Sequence, residues 1–313
     1  MERNEGFSWA DHIAWLVEVH GSLAAVAQRL AALRAYKDDA QSIERALRRL
    51  RGRGPHEGGI WGARIVRAFG LPEATAARVR WLGTYHSGFS DLPLSVCEDL
   101  LREWDRPPVA ESPEAATWLA LGRAVCSARR GDAAGARAHL ARALATKGSA
   151  SAAAQAEFLL TAAFLERDVG RLAAFDELLA ALPEVDRACL HARAIDIRAR
   201  ALRLRGQTTA ALSLLDEIAD DAPPFALARR EYGRARALAA CDRIDEAITA
   251  ARAAAEHAGD GGHLRHRAIA LSLLSELTGA ESIARRARSI AGALGDRFLR
   301  PNDSGPHGVL EVA

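Results

Sequence analysis

The 313-residue sequence is poor in the patterns that most enzyme chemistry requires. Its four cysteines, Cys97, Cys126, Cys189 and Cys241, stand far apart. No pair has the spacing of a metal site or a disulfide framework, so they read as small core residues of a cytosolic protein. No Gly-Lys-Ser or Gly-Lys-Thr occurs, and Lys147 precedes Gly148-Ser149 in the wrong order for a phosphate-cradling loop. No apolar run reaches the roughly eighteen residues of a membrane span, and the opening Met-Glu-Arg-Asn-Glu-Gly lacks signal-peptide character. A cytoplasmic protein with no membrane contact is therefore expected. Runs of alternating Val, Ile and Thr are absent, which excludes an extensive sheet. Asparagine occurs only at Asn4 and Asn302.

Two polar clusters invite a chemical reading, and neither supports one. The loop 83–93 gathers Tyr85, His86, Ser87, Ser90 and Asp91. These residues are too close in sequence to form a triad by themselves, and no nucleophile elbow surrounds them. Tyr85 and Phe89 are expected to anchor the loop to the core. His257, His263 and His266 flank a glycine turn beside Asp260, but their spacing matches no zinc motif. No catalytic residue, metal or cofactor is expected.

What is present is helical pattern. Apolar residues make up 49% of the chain, an ordinary share for a globular protein, and alanine, the best helix former, is abundant. An all-α protein follows. The net charge of +2 conceals an uneven distribution: residues 29–80 hold twelve Lys or Arg against five acids. Such a basic segment in a balanced chain suggests an anionic partner.

The basic segment belongs to an N-terminal helical head. Ser8 is placed to cap a helix running to about His20, with Trp9, Ile13, Leu16 and Val17 inward. Ser22 is placed to cap a second helix through Leu33. After a polar connection from Arg34 to Gln41, a third helix is expected from about Ser42 to Leu50. Its apolar stripe is Ile43, Ala46, Leu47 and Leu50, while Arg45, Arg48 and Arg49 share the other side. Arg51 and Arg53 continue the charge in a Gly-rich arm. The five arginines are candidate nucleic-acid contacts, since a short helix with one buried face offers several guanidinium groups to a groove. A solvated or protein-contacting face is the alternative. Ser22–Leu33 followed by Ser42–Arg51 resembles a helix-turn-helix unit of the bacterial repressor type, with a longer connection than that family's tight turn. Further helices are expected from Ile60 to Phe69, from Pro72 through Leu82, and from Leu94 to Trp104. Residues 106–113, rich in proline, mark a linker after a head of 1–105.

Beyond the linker the sequence repeats itself. Gly131, Gly170, Gly206, Asp242 and Gly279 lie 39, 36, 36 and 37 residues apart. At offsets of 5, 9 and 12 each is followed by an apolar stripe: Ala136, Leu140, Ala143; Phe175, Leu179, Leu182; Ala211, Leu215, Ile218; and Ala247, Ala251, Ala254. The fifth set, Ala284, Arg288 and Ala291, departs at its middle position. This is a solenoid period. Residues 114–295 resemble the tetratricopeptide repeat (TPR) family, which has small, large and small residues at these offsets and a proline at seventeen, met here by Pro223. Trp118 and Leu121-Gly122 are similar to that family's first-helix residues. Residues 296–313 are expected to form a polar tail.

The resemblance implies a concave groove lined by first-helix positions 13, 10, 6 and 3 before each turn. Counted from Gly206 these are Arg193, Asp196, Arg200 and Arg203; from Asp242 they are Arg229, Tyr232, Arg236 and Ala239. A basic groove suits an acidic peptide or protein segment. A helix-turn-helix head before such repeats resembles the layout of bacterial TPR-containing transcriptional regulators, although their peptide-binding asparagines have no match. Two readings follow. One is a regulator that binds duplex DNA through the head and uses the repeats for homodimerisation or effector binding. The other is a non-enzymatic adaptor binding acidic segments through the groove.

Overall fold

The computed structural model describes residues 6–33, 38–54 and 56–299. Sixteen α-helices and no strand are present among the described residues. No helix among them is long and apolar enough to cross a membrane.

Four helices build the head: α1 (Trp9–His20), α2 (Leu23–Ala31), α3 (Ala40–Arg51) and α4 (Gly59–Phe69). Ser8 caps α1 in a reciprocal box with Asp11, and Ser22 caps α2. The third helix starts two residues before Ser42. Asp39 caps it by accepting the Ser42 N–H at 2.9 Å, and Ser42 sits inside the first turn. The second helix stops at Ala31, short of Leu33, which is 42% exposed. Trp9, Ile13, Leu16, Val26, Leu30, Ile43, Leu47 and Ile65 form one closed core.

The boundary expected at 106–113 does not separate two cores. α5 (Glu73–Gly83) and α6 (Leu94–Trp104) pack on α7 (Pro113–Arg129), and Val79, Leu82, Cys97 and Leu101 share their core with Trp118, Leu121 and Phe158. The proline-rich segment is a corner within this unit, with Val109 buried in it. The reason is a close helix crossing. A Cβ on Gly122 would press on the Leu82 carbonyl and lie 2.9 Å from Leu101 Cδ2, and one on Gly83 would lie 2.8 Å from Trp118 Cα. Only glycines allow α5 and α7 to approach this far. Gly122→Ala is expected to cost about 1–3 kcal/mol by overpacking. A urea midpoint equal to the parent's would refute the close crossing.

The head docks on this unit through Glu111. Its carboxylate accepts the Gly58 N–H at 2.6 Å at the start of α4, and burial pushes its pKa up. The Gly-rich arm after α3 is therefore held at its far end by Gly58; Pro55 lies outside the described residues.

Five helix pairs follow: α7 with α8 (Ala133–Thr146), α9 (Ala152–Glu166) with α10 (Leu172–Leu178), α11 (Glu184–Leu204) with α12 (Thr208–Leu215), α13 (Pro224–Ala240) with α14 (Ile244–Asp260), and α15 (Leu264–Thr278) with α16 (Glu281–Leu294). Gly131, Gly206, Asp242 and Gly279 take positive φ between 62° and 81° at the turns. Gly170 does not. There the left-handed residue is Arg167, three positions earlier, and a short 3-10 turn leads into α10. The expected stripes of the first, third and fourth pairs are fully buried. In the fifth, Arg288 is exposed and the inward residues are Ala287, Ala291 and Leu294.

The last pair returns to the first. Residues 297–299 pack on α7, and Asp296 is fully buried beside Arg129. The segment expected as a polar tail from 296 thus begins inside the core. Residues 300–313, including Glu311, lie outside the described residues.

Candidate functional site

First helices α7, α9, α11, α13 and α15 all contribute to a central chamber, seen as two adjoining cavities of about 540 and 850 Å³ counted out to their mouths. Both cavities are walled by Tyr85, Phe164, Arg229 and Arg265. Arg193 lines the smaller one; Arg200, Arg203, Tyr232 and Arg236 line the larger. The six residues read from the repeat register as groove positions therefore face one space.

They do not face it in the same electrostatic state. Arg193 is 4% exposed and bonded to the buried Glu157 at 2.5 Å, with Thr161 completing the fork at 3.3 Å. Its charge is neutralised inside the protein. Arg229 pairs with Asp196. Arg236 has a longer contact, 3.7 Å, with Glu276. Among the described residues no carboxylate lies within ion-pair distance of Arg200. Desolvation lowers its pKa, and its guanidinium lies 5.8 Å from the Phe164 ring centroid. Glu231, next to Tyr232 in sequence, turns away from the chamber and pairs with Arg230 and Arg234.

Polar atoms without partners also border the chamber. Arg229 Nε and both ring nitrogens of His266 are buried and unpartnered among the described residues. Burial holds the His266 pKa well below 6.5, with Arg229, Arg265, His263 and Arg193 acting in the same direction, so the ring is neutral. Buried polar groups are seldom left in this condition.

Tyr85 stands at the centre. Its ring lies 4.6 Å from the guanidinium carbon of Arg193, 5.4 Å from that of Arg229 and 6.0 Å from that of Arg265. Its hydroxyl accepts a 2.7 Å bond from Arg265 Nη1. Arg265 donates from Nε to Asp296 at 2.8 Å, and Arg129 donates to the same oxygen at 3.2 Å. Burial opposes the Arg265 charge, but Tyr85, Asp296 and Asp91 together more than offset this and raise its pKa. The loop 83–93 is thus part of the chamber wall as well as anchored to the core through Phe89, which is 2% exposed.

At one edge, Phe225 meets His86, His263 and His266 with ring centroids 5.7, 5.3 and 5.0 Å away. His86 Nε2 lies 3.3 Å from Asp186, and His263 Nδ1 lies 3.5 Å from Asp91. No group of three or more His, Cys, Asp or Glu side chains among the described residues is arranged to hold a metal ion.

Some of the remaining wall residues had a signal in the sequence. Applied to the turns at Gly131, Gly170 and Gly279, the offsets 13, 10, 6 and 3 pick out twelve residues. Of these, Val125, Ala128, Phe164, His266 and Ile269 line the two cavities and Glu157 and Glu276 pair with arginines that do, whereas Trp118, Leu121, Leu160, Arg167 and Leu273 line neither. Tyr85, Arg129 and Arg265 carry no such signal, because they reach the chamber from a loop and from helix ends.

The second candidate surface is α3. Ile43, Ala46, Leu47 and Leu50 are buried, and Arg45, Arg48, Arg49 and Arg51 are exposed, as is Arg53 beyond the helix. Arg48 is paired with Glu44 at 2.5 Å yet remains 70% exposed. Arg45 donates to Ser42 Oγ at 3.1 Å. No acid lies within ion-pair distance of Arg45, Arg49, Arg51 or Arg53 among the described residues. Arg34 and Lys37, counted in the basic segment, lie outside those residues. Asp38 pairs with Arg64 at 2.9 Å.

No family model, no curated protein and no solved structure matches the chain.

Proposed function

We propose that the protein is a DNA-binding transcriptional regulator, with a helix-turn-helix head that engages duplex DNA and a TPR-like body that takes an effector. The exposed arginine face of α3 carries this reading. One side of the helix is sealed against α1 and α2, and the other offers four guanidinium groups with Arg53 just beyond as a fifth; all but Arg48 lack an acid partner among the described residues. An adaptor whose head is a protein-binding module would be better served by arginines neutralised by acids or covered by the repeats. Arginine forks suit phosphate oxygens and guanine edges.

A continuous path supports the regulatory half of the proposal. Tyr85 in the chamber wall follows α5 by two residues. α5 follows Gly70, whose carbonyl accepts a 2.9 Å bond from His12 of α1. The chamber and the head core are linked by one short stretch of chain.

Fluorescence anisotropy with a random duplex at several salt concentrations tests the DNA reading. The parent should bind, and its log affinity should fall linearly with log salt as counterions are released. Replacing Arg48 and Arg49 together with alanine should weaken binding about 10- to 100-fold and reduce the salt slope by about two, with helix content unchanged by circular dichroism. A double variant that binds as the parent does would refute the assignment.

A further inference from the structure

We propose that the chamber binds a small organic anion with at least two negative charges and a flat ring, about the size of a mononucleotide. The proposal rests on the reading of the repeat body as the effector-binding half of the protein and names the effector's class.

Three observations define the ligand. The first is charge. Arg200 has no carboxylate within ion-pair distance among the described residues, and Arg236 has only the 3.7 Å contact with Glu276. Arg200 and Arg236 hold the same register position in successive first helices, and Arg229, seven residues before Arg236, lines the same cavity with its Nε–H buried without an acceptor among the described residues. Guanidinium groups held together in a partly desolvated space attract anionic oxygens strongly, because little water remains to screen them. A single charge would leave part of this set unanswered.

The second is shape. Phe164 and Tyr232 line the larger cavity together with Tyr85, giving flat apolar walls between the charged groups. Neutral His266 adds one donor and one acceptor, both unpartnered, beside these rings. Walls of this kind fit a ring with polar edges, and a bare inorganic anion would leave them uncovered.

The third is enclosure. Arg129, Asp296 and Arg265 join the first repeat to the last, so the concavity is a chamber and not an open trough. Its larger part holds about 850 Å³ counted out into the open mouth, so the enclosed space is smaller than that and suits a compact ligand better than a long one. An extended six-residue peptide spans about 20 Å. The acidic peptide expected from the groove register is therefore the poorer fit.

The test uses the full chain and pyranine, a fluorescent pyrene trisulfonate, as the probe. Titration should show one site per chain. Adenosine monophosphate or benzene-1,3,5-tricarboxylate should displace pyranine, and the more potent of the two assigns phosphate or carboxylate as the anionic group. Hexaglutamate should displace it poorly. Arg200→Gln and Arg236→Gln should each weaken pyranine binding about tenfold or more, with helix content checked by circular dichroism. Phe164→Ala, which removes a ring and no charge, should weaken pyranine more than it weakens pyrophosphate. The proposal is overturned if pyranine finds no single site, if both arginine variants bind like the parent, or if hexaglutamate competes as well as the ring anions. Duplex binding measured on the same samples separates the two readings: its absence beside intact pyranine binding would defeat the DNA assignment alone.

Discussion

Asp296→Ala should destabilise the protein by about 3–5 kcal/mol, the usual cost of removing one partner from a buried ion pair. Asp296 is fully buried, and one of its oxygens accepts from both Arg129 and Arg265, which are 1% and 6% exposed. Arg129 also donates to the carbonyls of Leu92 at 2.8 Å and Leu294 at 3.1 Å. The substitution leaves two guanidinium groups in the interior without their shared carboxylate, and the helix ring has lost its closure. The loss should appear as a lower urea midpoint. Arg243→Ala provides the contrast. Its pair with Glu246 is exposed on both sides, and such surface pairs contribute little because water screens them. Equal midpoints for Asp296→Ala and the parent would show that the closure contributes nothing.

Stability should also fall steeply as pH drops from about 6.5 to 4. Burial lowers the pKa of His12 to about 4 and that of His86 to about 4, and it holds His266 well below 6.5. His86 is further balanced between Glu157, which favours its charge, and Arg193, Arg80 and His263, which oppose it. In this window the unfolded chain takes up protons that the folded chain refuses. The stabilisation is therefore complete above the unfolded pKa and is lost as pH falls toward the folded one. A depression of this size is worth about 3 kcal/mol for each of His12 and His86. Glu111 acts in the opposite sense, since its raised pKa favours the folded state as pH falls. Urea midpoints at pH 7.5, 6 and 5 should decline in order, and His86→Gln should flatten the decline. Constant midpoints across this range would show that these rings are not held neutral.

The arginine face of α3 was legible because a helix displays its two sides at fixed intervals. Ile43, Ala46, Leu47 and Leu50 recur at three and four, so Arg45, Arg48 and Arg49 had to lie outside. The groove residues were legible for a related reason: the 36-residue spacing between turns puts Arg193 and Arg229 at the same place in successive helices. What the pattern did not carry was charge state. Arg193 and Arg200 are seven residues apart on one helix. One is buried against Glu157 from the preceding repeat and the other is not. Their periodicity is the same, and only the neighbour differs.

By itself the sequence determined the helical class, four of the five turns, the apolar stripes of the first, third and fourth pairs and the register that sends the arginines inward. These are properties of local spacing, set by 3.6 residues per turn. Only the tertiary structure decided where the cores divide, since α5 joins α7 through glycines 39 residues apart at Gly83 and Gly122. It alone decided that the repeats close, because that depends on Arg129 meeting Asp296 across 167 residues. And it alone brought Tyr85 among the arginines. Small tilts between successive helix pairs accumulate into a ring or an open spiral, and no interval along the chain encodes that sum.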